Sequence, residues 1–504
     1  MTETRSKEIQ VAQTKKRKRR ERQAEKRREG KGKTPNKDAG DDATGEYGSV
    51  EKEPSASSIT IRLFPTEKQK ETLNRWIGTT RWTYNQALAS IKNGTKMNKG
   101  ELRSQVVNNN NFKDKEEVWV LNTPYDVRDE GMNDVLKAFH SNFEKRKKNP
   151  EFKFEIGFRS KKKAAQESFV LHAKHLTIHS NNHPREAGQL TFYPTYFGNT
   201  PLKSAEPIPI HAMNYDCRII RNRLGQYFLA VPVPLPVKSM PVPLRDPHGV
   251  PERIISLDPG VRTFQTGYDP SGAVFEWGKN DMSRVMRLGY AIDQLVSRST
   301  GPTMKSKHRR KLKKAEHRMR LKIKNLIKDC HRKLAKFLCE AFDVILLPSF
   351  ETSQMVTKDG PKKRKINSKT VRQMLTWSHY SFKQTLLSKA REYPWVEVKI
   401  VNEAYTSKTC TWCGVIKDNL GGSKTFHCKQ CGTVVDRDYN GARNIYLKNE
   451  RDLGLLGSGS RCGLAPSDGS TSRSSSASTS SQMQGVWSSC SEFLWYDTQS
   501  SLWL

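Results

Sequence analysis

Two pairs of cysteines constrain this chain most. Cys410 and Cys413 form one CxxC, Cys428 and Cys431 a second, and each pair runs directly into a glycine, Gly414 and Gly432. Two such tight turns present four thiolates, the number that closes a tetrahedral site. The spacing therefore predicts a zinc ribbon holding one structural Zn²⁺. The 14 residues between the pairs are one short of the usual range of about 15–20. A disulfide framework is disfavoured, because nothing else in the chain looks secreted. Five residues after Cys431 comes Asp436, then Asp438, where the sequence turns helical as YNGARNIYL. Carboxylates at a helix start beside a metal knuckle point to a hydrolytic metal site. The plain alternative is two ordinary N-cap aspartates.

The rest of the composition decides which partner such a site would meet. Among 504 residues, 88 Lys and Arg face 52 Asp and Glu, a formal charge of +36. That excess implies a polyanion, most simply nucleic acid. The length allows two or three domains. No apolar run approaches the roughly 20 residues of a membrane span, and the first residues lack the apolar stretch of a secretory signal, so no membrane partner is expected. Nine cysteines, four of them in a metal pattern, fit a reducing compartment. Cys217, Cys330 and Cys339 sit in apolar settings and read as buried thiols.

Taken in order, residues 1–56 read as a disordered basic arm. Within it Lys15–Arg20 (KKRKRR) is a monopartite nuclear-localisation pattern, which predicts a nuclear protein; a solvated arm touching phosphates is compatible with it. Residues 57–67 alternate as a strand, and Thr66 is placed to cap a helix. Residues 68–166 read as helical. There Trp76, Trp82 and Tyr84 are core aromatics or base-stacking residues, and clusters at Lys145–Lys148 and Arg159–Lys163 are candidate phosphate contacts. Residues 167–250 read as strands that complete a small β-barrel with the early strand, followed by a proline-rich linker from Pro232 to Pro251.

A second domain occupies 251–404: three strands opening with RIISLDPG, a basic helical arm, the strand DVILLPSF, more helix, and the strand WVEVKIV. The ribbon takes 405–435, a last helical segment 436–449, and 450–504 decays into a disordered Ser-rich tail. Asp258 ends an apolar strand, where a carboxylate is costly unless it meets a cation; an Asp-Pro-Gly turn is the plain reading. Three strands, helix, strand, helix, strand, helix is the order of an RNase H-like fold. In that fold carboxylates from the first strand, the middle and the last helix hold two Mg²⁺ for phosphodiester hydrolysis. Asp258 and Asp438 fit the first and last places.

SLDPGVRTF, the strand before LPSF, and YTSKTCTWCG…FHCKQCG…DRDYNGARNI resemble the RuvC nuclease and zinc-ribbon segments of TnpB proteins, transposon-encoded relatives of type V CRISPR effectors. IRLFPTEKQKETLNRWIGTTRWTYNQAL resembles their opening strand and helices. The basic arm and the LPSF variant resemble the eukaryotic and viral branch called Fanzor. The resemblance spans about residues 57–447. It implies an α+β multidomain chain: an N-terminal β-barrel with an inserted helical domain, then an RNase H-like (RuvC) nuclease domain with an inserted zinc ribbon. It also implies a monomeric ribonucleoprotein in which a guide RNA directs Mg²⁺-dependent cleavage of double-stranded DNA beside a short flanking motif.

In TnpB-like proteins the strand after the long helix ends in a catalytic glutamate, and here that place is Pro348. The Fanzor resemblance implies that Glu403, just beyond the fifth strand, is the third carboxylate, with Glu351 its competitor. Asp436 competes with Asp438, which precedes the Tyr-Asn of the helix start. The rival function is a guided or non-specific nucleic-acid-binding protein with an inactive nuclease site. A strand-joining transposase is disfavoured because no clear helix-turn-helix is seen.

Overall fold

The computed structural model describes residues 56–112, 116–162, 164, 166–179, 188–239, 253–356 and 366–450. The KKRKRR pattern, the linker from residue 240 and the Ser-rich tail from residue 451 lie outside them.

Seven strands form the first sheet: β1 (Ala56–Phe64), β2 (Gln166–Leu171), β3 (Leu176–His179), β4 (Gln189–Phe192), β5 (Leu202–Ser204), β6 (Cys217–Asn222) and β7 (Tyr227–Pro234). Their order is β2-β6-β7-β1-β5-β4-β3, with every pairing antiparallel. Among the described residues the end strands β2 and β3 are not paired with each other, so the expected small β-barrel is open there. They are joined by one turn, and Phe169, Leu171 and Leu176 share a single core with Ile61, Leu63 and Leu229. The supposed linker also begins later than expected, since Pro232–Pro234 finish β7.

Three helices are inserted between β1 and β2: α1 (Glu67–Lys92), α2 (Lys99–Val106) and α3 (Tyr125–Lys148). Thr66 caps α1 through a reciprocal bond with Gln69, which satisfies two backbone donors at once. α1 runs unbroken through Gly78. Trp76 is fully buried against Phe169, Phe192 and Tyr193, so it packs the core and is out of reach of a base. Arg159 is likewise structural: it stacks 3.7 Å from the Tyr84 ring and pairs with Asp134 at 3.0 Å.

The second sheet holds β8 (Ile254–Pro259), β9 (Gln265–Tyr268), β10 (Val274–Trp277), β11 (Val344–Pro348) and β12 (Glu397–Val401). Its order is β10-β9-β8-β11-β12. The β8, β9 and β10 run is antiparallel, whereas β8, β11 and β12 are parallel. Four longer helices connect the strands, α4 (Asp281–Thr300), α5 (Ser306–Ala341), α6 (Ser368–Trp377) and α7 (His379–Ala390), with a five-residue helix at Thr352–Val356 after β11. Strand side chains alternate between faces. Ile255, Leu257, Ile345 and Leu347 pack under these helices. Ile254, Val344 and Leu346 pack on the opposite face against Ala442, Ile445 and Tyr446. Those three belong to the last helix, α8 (Arg437–Asn449). α5 is 36 residues long, and most of its first half stands in solvent. Among the described residues no helix is long and apolar enough to cross a membrane.

Candidate functional site

The site forms where the α8 face of the second sheet meets the cysteine ribbon. Period-two alternation puts Ser256 and Asp258 on the same face as Ile254. The Ser256 hydroxyl donates to the Ala442 carbonyl at 2.8 Å, so β8 and α8 are in close contact. Beside that bond is Gly441. A Cβ there would stand 2.6 Å from Asp258 Oδ2 and 3.1 Å from its Cγ; only glycine leaves room for the carboxylate. The turn after Asp258 is fixed as well. Gly260 N–H donates to the Phe264 carbonyl at 3.2 Å, and the Trp377 indole donates to the Val261 carbonyl at 3.0 Å.

β11 presents Val344, Leu346 and Pro348 to the same face, and Pro348 is in register with Val401 of β12. Two residues beyond Val401, on the same period, comes Glu403. It is half-buried, and its carbonyl accepts from the Thr406 hydroxyl at 2.9 Å. Glu351 is exposed and follows Phe350, whose φ is +30°.

Asp436 and Asp438 part company at the start of α8. Asp436 ends β14 (Val434–Asp436), which pairs with β13 (Thr425–His427). Its carboxylate caps α8, accepting from Asp438 N–H at 2.8 Å and Tyr439 N–H at 3.4 Å. A cap of this kind is worth about 1 kcal/mol. Asp438 lies one position inside the helix, free of capping duty.

The electrostatics show which carboxylates are close. Burial, then the charges of Asp438 and Glu403, push the Asp258 carboxyl well above the usual carboxylate range; Asp436 adds less. Burial raises Glu403, and burial followed by Asp436 raises Asp438. A buried carboxyl with two further acids acting on it forms a setting that favours a cation.

The cysteines close a second, tighter group. Cys410 and Cys431 sulfurs are 3.6 Å apart and Cys413 and Cys428 sulfurs 3.5 Å, and all four lie within 4.8 Å of one another. Four thiolates at about 2.3 Å from one tetrahedral ion stand about 3.8 Å apart, so the set fits a zinc-sized ion. Both knuckles are built alike. Gly414 and Gly432 have φ of +73° and +72°, a conformation only glycine adopts cheaply. Their N–H groups return to the Cys410 and Cys428 carbonyls at 3.0 and 3.1 Å. Among the described residues these cysteines are the only such compact group. The three carboxylates are spaced more widely than that.

Sequence reasoning did not find the residues that join the two groups. Asn440, Arg443 and Asn444 lie at i, i+3 and i+4 on α8, hence on one face. Asn440 accepts from Thr411 N–H at 3.0 Å and donates to the Thr409 carbonyl at 2.8 Å. Asn444 donates to the Thr406 and Thr409 carbonyls at 2.8 and 2.7 Å. Arg443 donates to the Thr411 carbonyl and hydroxyl at 2.7 and 2.8 Å. One helix thus grips the loop carrying Glu403, supports Asp258 through Gly441, and carries Asp438. The amide spacing within DYNGARN was the available signal.

Away from this site, a cleft of about 880 Å³ opens between the first sheet and α5. Lys70, Lys161, Lys162, Glu167 and Arg221 line it from the first sheet and its helical insertion, and Lys313, Glu316 and His317 from α5.

Comparison with known proteins places the chain. A family model described as a Cas12f1-like TNB domain matches residues 379–445. A putative transposase, A625R of Paramecium bursaria Chlorella virus 1, is 30% identical over 405 residues, covering 77% of this chain and 85% of that protein. The chain belongs to the TnpB/Fanzor family. A TnpB-like protein of Acanthamoeba polyphaga mimivirus, L79, is also 30% identical, over 51% of this chain and 46% of its own length. A putative RNA-guided DNA endonuclease of Streptomyces pristinaespiralis is 23% identical over 81% and 92% of the two chains. Among solved structures, a Cas12f1–sgRNA–target DNA complex aligns with a TM-score of 0.46 at 13% identity, over 78% of this chain and 98% of that one. A helix-turn-helix family model matches residues 57–100 of this TnpB/Fanzor protein, which corrects the expectation that no such segment is present. The matched residues form β1, the 26-residue α1 and the start of α2, in place of two short helices about a tight turn.

Proposed function

We propose that this chain is an RNA-guided DNA endonuclease. The gathering of Asp258, Glu403 and Asp438 on one face of a 3-2-1-4-5 sheet carries this reading; that strand order is the RNase H-like, or RuvC, arrangement. The relatives named as putative RNA-guided DNA endonucleases support it. Asp258, Glu403 and Asp438 would hold two Mg²⁺, hard cations that oxygen ligands suit. Bound there, such ions supply an activated water and stabilise the departing oxygen. The repulsion that Asp438 and Glu403 exert on Asp258 and the space left by Gly441 fit that charge. The chain's own contribution is position: β8 fixes Asp258, the end of β12 delivers Glu403, and the capped start of α8 delivers Asp438. The four cysteines would hold Zn²⁺, tethering the ribbon that leads into Asp438. The basic cleft between the first sheet and α5 is suited to a nucleic-acid backbone.

Pro348 supports the second reading, guided binding without cleavage, because it occupies a site-facing position and offers no ligand. Purified chain with its co-purifying RNA separates the two. The nuclease reading expects cleavage of DNA complementary to that RNA, dependent on a divalent cation. Binding of that DNA with no cleavage at any cation concentration would establish the second reading instead.

A further inference from the structure

Trp412 sits inside the first knuckle, between Cys410 and Cys413, yet its side chain is 55% exposed. The ring is held firmly. The Arg443 guanidinium lies 5.0 Å from its centroid, and Arg443 is itself fixed by the bonds to Thr411 described above. Tyr439, the residue after Asp438, tilts against the same indole at 6.4 Å, and Tyr268 of β9 meets Tyr439 edge-on at 5.8 Å. A row of rings therefore leads from the strand beside Asp258 out to solvent. On the other side, Tyr405 stands two residues after Glu403, 63% exposed, with a φ of +68°. That conformation costs a non-glycine residue free energy. Lys408 lies 6.0 Å from the Tyr405 ring, and Lys417 bonds the His427 carbonyl on the ribbon.

A rigid, half-open indole with a cation behind it, on a chain of charge +36, matches a flat base on a phosphate backbone. We propose that Trp412 is a stacking platform for a base of single-stranded DNA, next to the phosphodiester that Asp258, Glu403 and Asp438 receive. The identity of the strand rests on the nuclease reading above. Trp412 is a positioning residue, since it acts by holding the strand and touches no reacting atom.

The test uses the full chain with its RNA in an Asp258→Asn background, which binds without cutting. Fluorescein-labelled single-stranded oligodeoxythymidine is the probe, read by anisotropy. Trp412→Ala should weaken binding by about 5- to 100-fold, the range for losing one stacked base, while Trp412→Phe stays within about threefold of the parent. The oligonucleotide should also quench indole emission, and less so in Trp412→Phe, a readout that holds even where the alanine variant fails to fold. Equal binding by Trp412→Ala and the parent overturns the proposal, as does Trp412→Phe binding as weakly as Trp412→Ala. A loss seen with the matching RNA oligomer and absent with DNA overturns the DNA assignment. Capture of an apolar protein surface, unaffected by oligonucleotide, overturns it too. If the native chain, with Asp258 in place, never cuts guided DNA but Trp412→Ala still loses the strand, the nuclease reading falls and the platform stands. If the native chain cuts and Trp412→Ala binds normally, only the platform falls.

Discussion

Asp258→Asn lowers guided cleavage by about 10³-fold or more while leaving guided DNA binding near the parent level. Losing one ligand of a metal pair removes several kcal/mol of transition-state stabilisation, and each 1.36 kcal/mol is about tenfold in rate. The same substitution moves stability the other way in cation-free protein. The Asp258 carboxyl is raised above its ordinary value by burial, Asp438 and Glu403. Its contribution to stability is therefore fully present below the unfolded pKa and is lost as pH rises through the folded one. Asparagine does not titrate, so cation-free Asp258→Asn melts above the parent at neutral pH, and the gap closes in acid. Added Mg²⁺ raises the melting temperature of the parent more than that of the variant, because only the parent keeps the complete ligand set. Cleavage within tenfold of the parent, or a melting gap that widens in acid, contradicts the assignment of Asp258.

Gly441→Ala is the second large effect, and it separates function from stability. Alanine favours a helix interior over glycine by about 1 kcal/mol, so α8 on its own gains. The added Cβ would stand 2.6 Å from Asp258 Oδ2, closer than atoms tolerate, and the short aspartate side chain is what must move. A displacement of about 1 Å at a reacting centre costs about 10²-fold in rate. The variant should therefore fold and bind guided DNA, yet cut about 10²-fold more slowly. Circular dichroism melts and single-turnover cleavage on one preparation check both halves. Unchanged cleavage with unchanged melting shows that Gly441 does not shape the Asp258 setting.

Much of this site can be read from the chain because local rules agree there. Cysteine spacing and the glycine after each pair specify the knuckles. The apolar run before Asp258 and the Pro-Gly after it mark a strand end. Strand period carries further than expected. Pro348 and Val401 are paired, so position 403 falls on the face of Asp258 by alternation alone, whereas 351 is out of phase with 348. Other features depend on contacts between distant segments, which a linear reading does not display. Nothing local to Gly441 announces Asp258, 183 positions earlier in the chain. The amides of Asn440 and Asn444 look like ordinary helix polars until the loop at Thr406–Thr411 is laid against them. In the first sheet, β5 has only three residues, too few to show alternation. The open edge between β2 and β3 is a matter of pairing, and strand pattern is silent on that. A glycine such as Gly78 weakens a helix by itself, but α1 is buried on both sides of it, at Trp76, Ile77, Thr79 and Thr80, and tertiary packing overrides a single glycine.

The sharpest measurement sets Glu403→Gln beside Glu351→Gln in guided cleavage, using the full chain with its RNA at saturating Mg²⁺ and with DNA binding followed separately. Glu403→Gln should cut at least about 10²-fold more slowly than the parent with binding intact, and Glu351→Gln should cut at the parent rate. Cleavage that survives the loss of Glu403 and disappears with Glu351 contradicts the convergence of Asp258, Glu403 and Asp438 as the reacting centre.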